Sequence, residues 1–204
     1  MTAPDKRSAT WAARAAATLR QQPEITTARL VLRRMTLDDA EAVFAYARDP
    51  EVARYTSWAA HRSIDDAREF LASIVASYDR GDSANWALEL REERRLVGTI
   101  GLSVRVEHRA AEVGYALARA YWGRGLATEA LGALLDVAFG TVGLHRVIAR
   151  CRPENVGSWK VMRKLGMSFE GIAREAFYAK GEFVDLMVWS ILRGEWERRV
   201  LGPR

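Results

Sequence analysis

Between Tyr121 and Leu131 the chain reads Tyr-Trp-Gly-Arg-Gly-Leu-Ala-Thr-Glu-Ala-Leu, and these residue types in this order can hold an anion. Glycines at 123 and 125 clear side chains from backbone that a ligand can approach closely. Arg124 between them offers charge-assisted donors. From Leu126 onward Ala127, Ala130, Leu131, Leu134, Leu135 and Ala138 recur at helical spacing, so the turn opens a helix. The first N–H groups of a helix have no intrahelical partner and lie at the positive end of its dipole, which suits a phosphate. A P-loop would need Gly-Lys-Ser/Thr, and no lysine lies near this turn. A dinucleotide fingerprint would need a third glycine where Thr128 stands, and an acid about 20 residues on, where His145 and Arg146 stand. Neither pattern fits.

Charge supports an anionic ligand. The 204 residues carry a net charge of +5. From Arg119 to Lys164, eight basic residues face three acids, so an excess equal to the whole net charge surrounds the glycine turn. There is no basic run or aromatic–basic repeat of the kind that binds nucleic acid. No apolar stretch approaches ~18 residues, so no membrane span and a cytoplasmic location are expected. The lone Cys151 excludes an internal disulfide, and inside a strand-like run it reads as a small buried hydrophobe. His61, His108 and His145 show no metal-ligand spacing, so no metal is expected.

The elements that must position this turn follow from periodicity. Alternation marks strands at 27–34, 86–91, 96–104 and 111–117 ahead of the turn, and at 145–151, 168–178 and 183–192 behind it. Thr36 with Asp38 and Asp39 caps a first helix that should run to about Arg48, closed by Pro50. Ser63 with Asp65 and Asp66 repeats the device for a second helix, with Phe70, Leu71, Ile74 and Val75 inward. A further helix carries Val161, Met162 and Leu165 and stops at Gly166. Residues 1–24 read as a separate extension, helical over Trp11–Arg20, ahead of a single domain over 25–204.

Trp122 with Gly125 and Ala127 resembles the pyrophosphate loop Gln/Arg-x-x-Gly-x-Gly/Ala of the GNAT acetyltransferases, in the form seen in the RimJ/RimL-like branch. Asn155-x-x-Ser158, followed by Lys164-Leu165-Gly166-Met167, resembles the family's second signature. The resemblance covers roughly Thr26 to Trp196 and implies an α/β (α+β) fold with the order β-α-α-β-β-β-α-β-α-β-β. Its mixed, mostly antiparallel sheet would have about seven strands and about four flanking helices. It implies acetyl-CoA as co-substrate and direct attack by an amine in a ternary complex. Val113, Tyr115 and Leu117 would supply contacts to the pantetheine arm, with Asn155 and Lys164 further along it. Trp122, Gly123, Arg124, Gly125, Leu126, Ala127 and Thr128 would take the pyrophosphate. Tyr55, Trp58, Tyr115 and Phe177 would line the acceptor side.

Catalysis needs a base for the amine and an acid for the departing thiolate. Many family members place a tyrosine where this chain has Met162, and a thioether cannot donate a proton. Ser158 lies one turn earlier and is the expected acid, as in RimL-like members, with Tyr178 in reserve; its other role would be a helix cap. Glu112 is the expected base if burial raises its pKa, and a water chain is the alternative. Asn155 has the same two readings, ligand contact or cap. The acceptor is expected to be a protein N-terminus, such as that of a ribosomal protein, with a small amine as the second choice. A CoA-binding module without turnover is the third reading, and the expected assembly is a monomer or homodimer.

Overall fold

In β2 (Leu30–Arg34) and β3 (Ser83–Leu90), large apolar residues alternate with smaller or polar ones, so each strand presents two different faces. Trp86 and Leu88 join one buried cluster while Ala87 between them joins another. The computed structural model describes residues 6–201, and these extend the pattern into a sheet ordered β1-β2-β3-β4-β5-β6-β8-β7. The other strands are β1 (Ile25–Thr26), β4 (Arg95–Arg105), β5 (Ala110–Leu117), β6 (Arg146–Cys151), β7 (Ser168–Ala179) and β8 (Glu182–Leu192).

Helices cover both faces. On one, α2 (Ala40–Ala47) and α4 (Ile64–Ser77) bury Val43, Tyr46, Ala47 and Leu71 against Met35, Ala87 and Leu96. On the other, α5 (Leu126–Asp136) buries Leu126, Ala130, Leu131, Leu134 and Leu135, and a π-helical turn, Val137–Val142, continues it. α1 (Lys6–Gln21) lays Trp11, Ala15 and Leu19 on the same cluster. Residues 1–5 of the expected extension lie outside the described residues. The remaining helices are α3 (Pro50–Ala53), α6 (Val156–Lys164) and α7 (Arg193–Leu201).

Every strand pair is antiparallel except β5–β6, which α5 joins as a crossover. That exception makes the site. Parallel pairing runs from Ala110↔Arg146 to Val113↔Ala149 and stops. β5 continues to Leu117 beside β4, while Arg150 and Cys151 of β6 stay with β8. The two strands therefore part in a V whose β5 arm, Gly114 to Leu117, has no β6 neighbour.

The described residues hold eight strands and seven helices, more than expected, for local reasons. Pro50 opens α3 rather than closing α2: Asp49 Oδ1 accepts the Glu51 N–H (2.9 Å), and proline suits a first helical position. The short β1 pairs with β2 through Ile25↔Leu32. α7 hides behind a charged sequence and docks through Trp196, whose Nε1 donates to Asp136 Oδ1 (2.8 Å), and through Arg193, which donates to the Leu144 and Phe139 carbonyls. Val75, expected inward, is 37% exposed because α4 turns Ala67 and Leu71 to the core instead.

Candidate active site

Two cavities flank the open arm of β5 and meet there. One, of about 490 Å³, runs from the glycine turn along α6 and is lined by Leu117, Trp122, Gly123, Gly125, Leu126, Ala127, Thr128, Lys160 and Lys164. The other, of about 570 Å³, lies between the loop Tyr55–Trp58, the floor of β4 and β5, and the β7–β8 hairpin. Tyr55, Thr56, Tyr115, Ala116, Asn155 and Ser158 border both.

The turn has the form of an anion cradle. Gly123 (φ +73°) and Gly125 (φ +78°) adopt left-handed backbone that favours glycine. The first N–H of α5 with a backbone acceptor is that of Glu129, on the Gly125 carbonyl (3.0 Å). Those of Leu126, Ala127 and Thr128 have no acceptor among the described residues. Trp122 holds the turn to the strand end by donating Nε1–H to the Leu117 carbonyl (2.7 Å). Glu129 ties α5 to the start of β2, accepting from Thr27 Oγ1 (2.6 Å) and from Arg29 N and Nε (2.8 and 2.7 Å). Burial raises its pKa, but these donors outweigh that and hold the carboxyl below its usual range, so its charge is spent on Arg29.

The structure alters several expected ligand contacts. Arg124 does not border the cavity; its guanidinium lies over the Tyr121 ring (5.2 Å), and the cations that line the cavity are Arg54, Lys160 and Lys164. A Cβ on Gly125 would meet Arg29 Nη2 only at 3.5 Å, so within the protein it is the positive φ that requires glycine there. Val113 pairs with Ala149 and is buried, and the Leu117 carbonyl is taken by Trp122. The backbone left for a strand-like ligand is therefore Gly114 to Ala116.

At the meeting point, the Tyr115 hydroxyl lies 3.0 Å from Ser158 Oγ and 3.1 Å from the Ser158 carbonyl oxygen. Burial pushes the Tyr115 phenol far above its usual range, so it stays protonated and can donate. Asn155 caps α6, its Oδ1 accepting the Ser158 N–H (3.2 Å). The cap therefore uses the backbone of Ser158 and leaves the hydroxyl to Tyr115. Cys151 lines the same cavity, and burial pushes its thiol up to about 11. Met162 is buried below.

Glu112 is not placed as a free base. Arg150 Nε and Nη2 donate to its two oxygens (2.9 and 2.7 Å), so the carboxylate is ion-paired rather than buried alone. Tyr178 is turned away: Phe177 and Ala179 line the acceptor-side cavity, while Tyr178 is 61% exposed and packs on Phe183 (4.9 Å). Strand alternation forces this, and Tyr178 cannot serve as the reserve acid from there. Tyr55, Trp58, Tyr115 and Phe177 do come together around that cavity. Asn85, Thr99, Arg150, Cys151 and Arg152 complete it, and no spacing in the sequence singled them out.

A family model of the GNAT acetyltransferase domain matches residues 29–168. The uncharacterized N-acetyltransferase YoaA of Bacillus subtilis is 34% identical over 172 residues, 84% of this chain and 97% of that protein. The ribosomal protein uS5 alanine N-acetyltransferase of Escherichia coli is 27% identical over 62% of this chain and 66% of its own length. A solved GNAT-family acetyltransferase from Bacillus anthracis superposes with a TM-score of 0.76 at 32% identity, over 85% of this chain and 100% of that one. The chain belongs to the GNAT acetyltransferases, which are acetyl-CoA-dependent N-acetyltransferases. The open N–H groups of α5 and the two lysines beside them fit the diphosphate of that co-substrate.

Proposed function

We propose that this enzyme acetylates the α-amine of a protein N-terminus by direct transfer in a ternary complex. The observation that carries the reading is the meeting of two cavities at Tyr115 and Ser158, which lets both substrates be present at once. Acetyl-CoA supplies the thioester when bound. The amine nitrogen bonds to the carbonyl carbon as the C–S bond breaks, so one proton must leave nitrogen and one must reach sulfur. Ser158 Oγ–H gives the second and is reprotonated by water from the cavity, with the Tyr115 hydroxyl, 3.0 Å away, holding Oγ in place. With both Glu112 oxygens held by Arg150, the first leaves through water in the acceptor-side cavity. A protein N-terminus is favoured over a small amine by two features. The cavity is broad and walled by Tyr55, Trp58 and Phe177, and a relative bears the name of a ribosomal-protein acetyltransferase.

The test is mass-spectrometric turnover of acetyl-CoA with N-terminal peptides, including ribosomal ones, beside polyamines and free amino acids. Peptides should be acetylated at the α-amine, and initial rates should vary with both substrates as intersecting reciprocal lines. Faster turnover of small amines, or parallel lines indicating an acetylated enzyme, would overturn the reading.

A further inference from the structure

Charge in the acceptor-side cavity is unbalanced, and one residue accounts for it. Of the charged groups lining it, Glu112 and Arg150 neutralise each other through two hydrogen bonds. Arg152 also lines it, with a side chain only 16% exposed. Its one side-chain partner among the described residues is Glu182 Oε1, reached by Nη1 at 2.8 Å from a glutamate that is itself 60% exposed. A guanidinium has five N–H donors in a planar fork, so most of this one is uncommitted in a largely desolvated place. A second cation stands close by: Lys180, whose pKa is lowered by burial and then by the charge of Arg152. Lys180 is turned to backbone, its Nζ donating to the carbonyls of Ala53 and Arg54 and tying the hairpin to the end of α3. Arg152 is thus the cation left to meet a ligand. It lines the same cavity that Ser158 and Tyr115 border.

We infer that Arg152 is a specificity residue that binds a carboxylate carried by the acceptor close to the reacting amine. This rests on the N-terminal reading above and sharpens it: the preferred N-terminus has Asp or Glu at its second or third position. An acceptor bearing extra positive charge, such as a polyamine, would meet a guanidinium whose one partner is the exposed Glu182. Charge-assisted hydrogen bonds of this kind correspond to a preference of about tenfold or more.

The experiment compares kcat/KM for matched peptides carrying Asp, Gln or Lys at positions two and three, together with free amino acids and their amides. The acidic peptides should exceed the Lys peptides by about tenfold or more, chiefly in KM. In Arg152→Gln that ratio should fall toward one, and in Arg152→Lys part of it should return. In Glu182→Gln, which frees the fork, it should rise. Calorimetry with CoA and a melting curve establish that each variant is folded. If Arg152→Gln does not fold, the Glu182→Gln ratio and the loss of wild-type preference with added salt decide the matter. Peptides acetylated without an acidic preference, or a preference that survives in Arg152→Gln, would overturn this inference and leave the N-terminal reading standing. Turnover of free amino acids alone, with an acid-over-amide ratio lost in Arg152→Gln, would overturn the N-terminal reading and keep the carboxylate site. No transfer to any acceptor would overturn both.

Discussion

At the scale of single residues, the structure separates two roles of Ser158 that the sequence leaves superimposed. The cap of α6 runs from the Ser158 N–H to Asn155 Oδ1, whereas the acid would be the hydroxyl beside Tyr115. Ser158→Ala keeps the N–H and removes only the hydroxyl. Its kcat should drop by ~10²-fold or more while acetyl-CoA affinity and melting temperature stay near wild type. Asn155→Ala should do the reverse, costing about 1 kcal/mol of stability through the lost cap. Stopped-flow or steady-state rates measured beside thermal melts check both. Full-speed turnover by Ser158→Ala would remove the serine from the chemistry. Glu112 carries a related lesson. A carboxylate at the start of a central strand reads as a base until Arg150, 38 positions later, is seen to bind both its oxygens.

Among the elements, the junction of β5, the glycine turn and α5 matters most. Gly125 caps α5 in left-handed backbone, a conformation that costs an L-residue about 1–2 kcal/mol. Gly125→Ala should therefore lower stability by about that amount and tilt the first N–H groups of α5, weakening CoA binding. Calorimetry and chemical denaturation together test this. Undiminished affinity in a folded Gly125→Ala protein would mean that the start of α5 does not hold the diphosphate. The glycines, the helical spacing behind them and the alternation ahead of them made this junction legible, because each is a local property. The side chain of Arg124 was not, since its position over Tyr121 depends on how the preceding 3-10 turn, Arg119–Tyr121, folds back.

For the whole molecule, the N-terminal extension is part of the core. Trp11 is 6% exposed and donates Nε1–H to the Val142 carbonyl (3.0 Å), with Ala15 and Leu19 buried beside it. Gln22, just beyond α1, donates to the carbonyl of Asn85, a residue that lines the acceptor-side cavity. Trp11→Ala should cost about 3–5 kcal/mol and lower the melting temperature sharply, as for a large-to-small change in any packed core. A thermal melt checks it; an unchanged melting temperature would make α1 a loose appendage. From sequence a helix is legible here, but not the surface it packs on. What it covers, the π-helical turn after α5, is more than a hundred positions away.

The sequence by itself determined most of the strand and helix order, the two-glycine turn, the second signature at Asn155 and Ser158, and through them the family. All of these are written in periodicity, capping residues and backbone conformation over a few consecutive positions. Tertiary structure alone decided which groups meet. Tyr115 lies against Ser158 across 43 positions, Arg150 closes over Glu112, Tyr178 faces away from the cavity, and Arg152 keeps an unsatisfied guanidinium inside it. The physical reason is the parting of β5 and β6. Local propensity makes each strand, but where their pairing stops is set by what packs between them, and that gap is where two cavities join.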